Sequence, residues 1–274
     1  DIFAPPTVTL SATPAPICTD GGLVTLTGLP FGGAYSGTAV SGNTFNPLTS
    51  GPGTFLLTYT YTDGNGCVGS SNTSVTVIAK PLADDPSDVT ACDSYTLPAL
   101  LVGNYFTGTG GTGTALNAGA VITSTQTIYV YAETGTMPNC VDENSFVVTI
   151  NPKPTLATIT SLPVCEGNTT TITLTGLLPN VAGVATYTVG GGPAQTQAGT
   201  ANGSGEFSFI TPVLSLAENG LIIEVTKLTV DGTNCETTFT GKTTTLVVNP
   251  KPTLATITSL PVCEGNTTTI TLTG

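Results

Sequence analysis

Residues 54–63 read TFLLTYTYTD. Phe55, Leu57, Tyr59 and Tyr61 occupy alternate positions, with Leu56, Thr58 and Thr60 between them. A period of two is the signature of a strand, whose successive side chains point to opposite faces. The turn formers Asp63-Gly64-Asn65-Gly66 follow, and SVTVI at 74–78 resumes the alternation with Val75 and Val77. The stretch therefore predicts a hairpin with one apolar face. The same pattern recurs in NSFVVTI, which places Phe146, Val148 and Ile150 together, and in TTTITLTG, where Ile172 and Leu174 share a face opposite threonines. No window carries a helical period. The expected fold is all-β: a row of small antiparallel β-sandwiches.

The composition fits that reading. Of 274 residues 39% are apolar and only 8% are charged, so Thr, Ser, Asn and Gly must form the surface. The net charge is −12, and all five cations are lysines. Such a chain lacks the clustered Lys and Arg that displace counterions from nucleic acid or settle on anionic lipid. No apolar run approaches the ~20 residues of a membrane helix.

Lys80-Pro81, Lys153-Pro154 and Lys251-Pro252 punctuate the sequence. Proline fixes φ and holds its predecessor extended, which suits short, stiff connectors. The expected domains are 1–79, 80–152 and 153–250, with 251–274 opening a further copy of the third. That last assignment is explicit, because NPKPTLATITSLPVCEGNTTTITLTG at 151–176 recurs letter for letter at 249–274. An unaltered 26-residue repeat reads as a window on a longer tandem array.

Seven cysteines stand at 18, 67, 92, 140, 165, 235 and 263. Pairing neighbours along the chain predicts one disulfide per domain, Cys18–Cys67, Cys92–Cys140 and Cys165–Cys235. Cys263, the image of Cys165, would pair beyond the window. Paired cysteines imply an oxidising, extracellular setting.

Chemistry-bearing patterns are sparse. GTGGTG at 108–113 has the spacing of a dinucleotide-binding loop, but it is followed by strand rather than helix and reads as a hairpin loop. With no histidine, nucleophilic triads and zinc hydrolase sites have no base or ligand, and no enzyme is expected. No cofactor is required. Calcium is the one metal expectation, on Asp84, Asp85 and Asp88 in the connector, followed by Asp93, with Asp20 and Asp63 as weaker candidates. Lys227, in the strand IIEVTKLTV, reads as a solvent-facing lysine rather than an isopeptide donor. Asn72, Asn168, Asn202 and Asn266 begin N-x-[ST] triplets of the kind a Thr-rich chain produces by chance.

GGAYSGTAVSGNTFNP (32–47) followed by TYTYTDGNGC (58–67) resembles the Ig-like repeats of giant secreted adhesins of gliding Bacteroidetes. ADDPSDVTACDSYTLPALLVGNYFTGTGGTGTAL (83–116), with TIYVYAETGTMPNC (127–140), resembles a second module type of the same proteins. The resemblance implies a beads-on-a-string array of Ig-like domains forming an adhesin stalk, exported by the type IX route and displayed on the cell surface. Its partners would be neighbouring repeats of the same chain and surface polysaccharide. Two alternatives are a filament subunit, whose residues 249–274 complete a neighbour by β-strand exchange, and a glycan-binding module stacking sugars on Tyr95, Tyr105 and Phe106.

Overall fold

The computed structural model describes residues 2–274; Asp1, where the expected 1–79 domain begins, lies outside the described residues. Strands dominate, and the chain divides into two compact units, Asp1–Ile150 and Asn151–Gly274.

In the first unit the strands β1 (Thr9–Thr13), β2 (Ile17–Cys18), β3 (Val24–Leu29), β4 (Ala34–Ser36), β5 (Val40–Ser41), β6 (Thr44–Phe45), β7 (Gly53–Thr62) and β8 (Val68–Ile78) form two sheets. Their orders are β1-β3-β6-β5 and β2-β8-β7-β4. This is the strand arrangement of an immunoglobulin sandwich, with the short β2 running parallel to the end of β8. The predicted hairpin is β7–β8, in register from Gly53↔Val77 to Thr62↔Val68. Leu57, Val75 and Val77 enter the core with Val24, Leu26 and Phe45, while Phe55 packs at its edge.

Tyr59 is buried and its hydroxyl is fully used: it donates to the Pro30 carbonyl at 2.6 Å and accepts the Gly33 N–H at 2.7 Å. The ring lies on Gly28, where a Cβ would stand 2.5 Å from it, so only glycine fits.

The same unit carries a second sandwich: β9 (Val89–Cys92), β10 (Tyr95–Thr96), β11 (Asn104–Phe106), β12 (Ala115–Leu116), β13 (Val121–Ile122), β14 (Gln126–Glu133) and β15 (Val141–Asn151). One sheet is ordered β12-β11-β14-β15-β9, and β10 pairs with β13 in the other. Its own core includes Leu97, Tyr105, Ile128, Val130, Phe146 and Val148. GTGGTG forms the turn between β11 and β12, as its sequence predicts, with Gly110, Gly111 and Gly113 at positive φ.

The second unit holds a third sandwich with its own core. Strands β16 (Thr158–Ser161), β18 (Thr171–Thr175) and β21 (Phe207–Ile210) form one sheet. The opposing sheet runs β20 (Gln195–Thr200), β19 (Ala182–Val189), β22 (Ile222–Val230) and β23 (Glu236–Thr238), with β24 (Thr243–Thr245) also on β22. The short β17 (Val164–Cys165) lies parallel to β25 (Val248–Asn249), repeating the β2–β8 arrangement.

Residues 249–274 form a hairpin of β26 (Thr256–Ser259) and β27 (Ile270–Thr273). Its register, Ile257↔Leu272 and Ser259↔Ile270, is that of Ile159↔Leu174 and Ser161↔Ile172 in the first copy. The burial differs completely. Ile172 and Leu174 are sealed at 0% exposure, whereas Ile270 and Leu272 are 62% and 63% exposed. Identical sequence builds the identical hairpin; β21 and the facing sheet supply the cover.

The expected disulfides are corrected. Cys18 is bonded to Cys140 (Cα–Cα 5.7 Å), Cys67 and Cys165 are unpaired thiols, and Cys92 and Cys235 are disulfide-bonded as well. The bonds are therefore not one per sandwich. The reason is strand length. Cys18 stands opposite Ile78, at the far end of β8 from Cys67. Eleven residues at ~3.3 Å each put roughly 36 Å between them, against the 4.4–6.8 Å that a disulfide spans between Cα atoms, a range of order-of-magnitude ~6 Å. Likewise the Cys235 carbonyl accepts the Val230 N–H at one end of β22, and Thr245 stands opposite Ile222 at the other, with Cys165 beyond.

Candidate functional site

Within the first unit, the chain leaves β8 through Ala79-Lys80-Pro81 and enters the second sandwich, and at this passage the polar and covalent contacts converge. The parallel β2–β8 pairing sets Cys18 beside Ile78, and the Thr19 N–H continues the ladder to the Ile78 carbonyl. The Lys80 N–H then donates to Thr19 Oγ1 at 3.2 Å. Two residues beyond Cys18 lies Asp20; two beyond Cys140 lies Asp142. The Lys80 ammonium reaches both carboxylates, Asp142 at 2.8 Å and Asp20 at 3.5 Å. The Cys18–Cys140 bond, closing a sequence separation of 122, thus lies next to an ion triplet drawn from both sandwiches and the connector.

Asp142 does more than face Lys80. Its second carboxylate oxygen accepts the Ala83 N–H at 2.8 Å, and the Asn144 amide donates to the Ala83 carbonyl at 2.9 Å. Ala83 is itself buried in the second core. The hydrogen bond from Lys80, then the Ala83 N–H, hold the Asp142 carboxyl below its ordinary pKa against the opposing effect of partial burial. Reciprocally, Asp142 and then Asp20 raise Lys80. The pair is only partly screened from water, with side-chain exposures of 35% and 14%, so its energetic weight is modest and its geometric role larger.

Two of the three calcium candidates accept backbone N–H groups. Asp84 accepts the Leu101 and Val102 N–H groups at 2.7 and 3.2 Å, and Asp88 accepts the Val147 N–H at 2.7 Å. Asp85 is exposed between them. Among the described residues, no three His, Cys, Asp or Glu side chains are grouped to hold a metal. These acids pin the connector to the second sandwich rather than converging on a point. Of the weaker candidates, Asp63 accepts the Asn65 and Cys67 N–H groups and closes its turn.

The aromatic triad proposed for stacking is also dispersed. Tyr105 is 2% exposed and packs on Phe146, so it is core rather than platform. Tyr95 packs against the same core from its edge. Phe106, on the other face of β11, meets Tyr131 edge-on at 6.1 Å. Lys227 is a solvent-side strand lysine paired with Glu236 at 3.0 Å.

Sequence reasoning read Lys80 as connector punctuation and Asp20 as a weaker calcium candidate, and missed that both meet Asp142. A signal was present: Cys-x-Asp occurs at 18–20 and again at 140–142, flanking a lysine that precedes proline.

No protein-family model matches the chain, and no curated protein matches it. Among solved structures it is similar to a calcium-stabilised adhesin with which an Antarctic bacterium binds ice. The identity is 16%, over 95% of this chain and 78% of that one, with a TM-score of 0.29. It is also similar to the N-terminal eight Ig domains of the Down syndrome cell adhesion molecule, at 8% identity over 92% of this chain and 38% of that one, with a TM-score of 0.41. The D1–D4 ectodomain fragment of ICAM-5 gives 14% identity over 97% and 84% of the two chains and a TM-score of 0.37.

Proposed function

We propose that this chain is a stalk segment of a repetitive, extracellular cell-surface adhesin, and that its work is mechanical rather than catalytic. The observation that carries the reading is the joint at Lys80, where a disulfide and an ion triplet fasten one Ig-like sandwich to the next across a proline connector. A disulfide placed there limits how far either sandwich can be drawn out, because the residues it encloses cannot extend until it is cut. The unaltered repeat at 249–274 and the hydroxyl-rich composition support an array that spans distance. Its partners would be adjoining repeats of the same protein and polysaccharide of the cell surface.

Single-molecule stretching tests the mechanical part. At ~3.6 Å per extended residue, opening the loop between Cys18 and Cys140 releases roughly 400 Å of contour length. The oxidised chain should therefore extend much less than the reduced one. Equal extension in both states would remove the proposal. Antibody labelling of intact cells tests surface display. The finer placement, on a gliding bacterium that exports by the type IX route, rests on the resemblance of the sequence phrases. Loss of labelling when that route is disabled is its test.

A further inference from the structure

The outer face of the second sandwich's larger sheet is not bare. Alternation along β14 sends Val130 and Ala132 into the core and leaves Tyr131 and Glu133 outside. Asn104 on β11 and Glu143 on β15 stand directly opposite Tyr131, and Phe106 follows Asn104 by two, so these side chains share that outer face. The GTGGTG loop then crosses it. The Gly110 N–H donates to Oε2 of Glu143, and a Cβ on Gly111 would stand 2.9 Å from the Tyr131 ring. Gly111 also has a φ of +69°, so ring and backbone both demand glycine there.

Between this loop and Pro81 of the connector lies a hollow of about 330 Å³, within the ~300–1,000 Å³ usual for ligand sites. Phe106 and Tyr131, both half-buried, wall it and meet edge to face, with ring planes 86° apart. Asn104 and Glu133 supply its polar side chains. Glu133 is held in place, since it accepts the Asn139 amide at 2.7 Å and the Tyr131 hydroxyl at 3.3 Å. Desolvation first, then the charge and hydrogen bond of Glu133, then Glu143, raise the Tyr131 phenol above its ordinary pKa. Among the described residues, the charged side chains that line the hollow or hydrogen-bond to its lining are Glu133, Glu143 and Asp84, all carboxylates. Lys80, next to Pro81, has its ammonium on Asp142 and Asp20.

These groups select a ligand by elimination. An anion would meet three carboxylates. A wholly apolar ligand would strip water from Glu133 and Asn104 and return no hydrogen bond. An ammonium group satisfies the carboxylate and is attracted to the ring faces. A pyranose ring adds an apolar C–H face for an aromatic wall and hydroxyls for the Asn104 amide. We infer that this hollow binds an amino-sugar unit of an extracellular polysaccharide, with its ammonium on Glu133 beside the rings of Phe106 and Tyr131 and its hydroxyls on Asn104. The inference rests on the surface-adhesin reading, to whose polysaccharide partner it gives a chemical class and a site.

The test is calorimetric titration of the whole 274-residue chain with a β-1,4-linked glucosamine tetramer and with its N-acetylated counterpart. It is run at about pH 6, below the ordinary amine range, and at physiological salt. The free-amine tetramer should bind saturably and the acetylated one at least about tenfold more weakly, because acetylation removes the charge that Glu133 and the rings recognise. Glu133→Gln, which keeps the shape, should weaken the free-amine tetramer about tenfold or more, and Phe106→Ala should weaken both tetramers. Asp85→Asn removes the same charge from an exposed position away from the hollow and should change nothing. Equal binding of the two tetramers would overturn the ammonium assignment. Equal weakening by Asp85→Asn and Glu133→Gln would mean general attraction to an acidic chain and would overturn the site, as would no binding of either sugar. None of these readings involves force or extension, so the stalk reading stands or falls separately.

Discussion

Leu174 and Leu272 sit at the same position of the same 26-residue sequence, in hairpins of the same register, at 0% and 63% exposure. Substituting each by alanine isolates burial from everything else. Strand propensity, cross-strand neighbours and the local unfolded chain are matched and cancel. At Leu174 the change removes a fully buried isobutyl group from among Ile159, Ile172 and Phe209 and leaves a cavity, a cost of about 3–5 kcal/mol. At Leu272 little more than a third of the side chain is covered and no cavity forms, so the loss stays below about 1 kcal/mol. For a sandwich of this size each kcal/mol moves the midpoint by roughly 4–8 °C. Leu174→Ala should then lower the melting of the third sandwich by at least about 12 °C, while Leu272→Ala leaves it within a few degrees. Hydrogen exchange read by mass spectrometry on peptides from Ile222–Val230 follows that sandwich apart from the other two. Equal losses would refute the reasoning, because they would mean that the second hairpin shares the groove occupied by the first.

Two further outcomes follow from the joint at Lys80 and a third from the acids of the connector. Replacing Cys18 and Cys140 together by serine should cost about 5 kcal/mol, the loop-closure estimate for a separation of 122, read as a lower urea midpoint for the first two sandwiches; an unchanged midpoint would remove the joint as a stabilising element. Because the folded Asp142 pKa is depressed, its contribution is present above the ordinary carboxylate value of about 3.9 and fades as pH falls through the folded value. The advantage of the native chain over Asp142→Asn should therefore be measurable at neutral pH and vanish in strong acid, and a difference that persists there would contradict the ion-pair assignment. Chelation should leave the melting of the second sandwich unchanged, since Asp84 and Asp88 are already occupied by backbone N–H groups; a calorimetric drop with chelator would restore calcium to the connector.

The fold was legible because a sheet writes itself into sequence at short range. The alternation in 54–78, with its Asp63-Gly64-Asn65-Gly66 turn, is a local property, and β7–β8 follows from it without reference to the rest of the chain. Tyr59 and Tyr105 show where local reading ends. Both obey the period of two, but only the packed structure reveals that the first has its hydroxyl held by Pro30 and Gly33, and that the second is core rather than a sugar platform. The connector acids show the same limit of local reading. Asp84, Asp85 and Asp88 are neighbours in sequence, yet their carboxylates turn to different backbone groups or to solvent.

Cysteine spacing misled most, and polarity explains why. Separations of 49 between Cys18 and Cys67 and 48 between Cys92 and Cys140 look like bridges within a sandwich when only length is counted. The β2 cysteine, however, lies where the chain exits its sandwich, beside Ile78, and the cysteine ahead of β15 lies at the opposite end of that strand from Asn151, where the second sandwich hands the chain on. A thiol at the exit of one sandwich and a thiol at the head of the next strand set are therefore brought together by succession along the chain, while two thiols of one sandwich are kept a strand's length apart. Placing cysteines at the ends of strands rather than mid-strand turns a bond that would have fastened sheet to sheet into one that fastens sandwich to sandwich. The Lys-Pro connector puts a cation between the two Cys-x-Asp segments, so covalent and ionic contacts meet where the first sandwich hands the chain to the second.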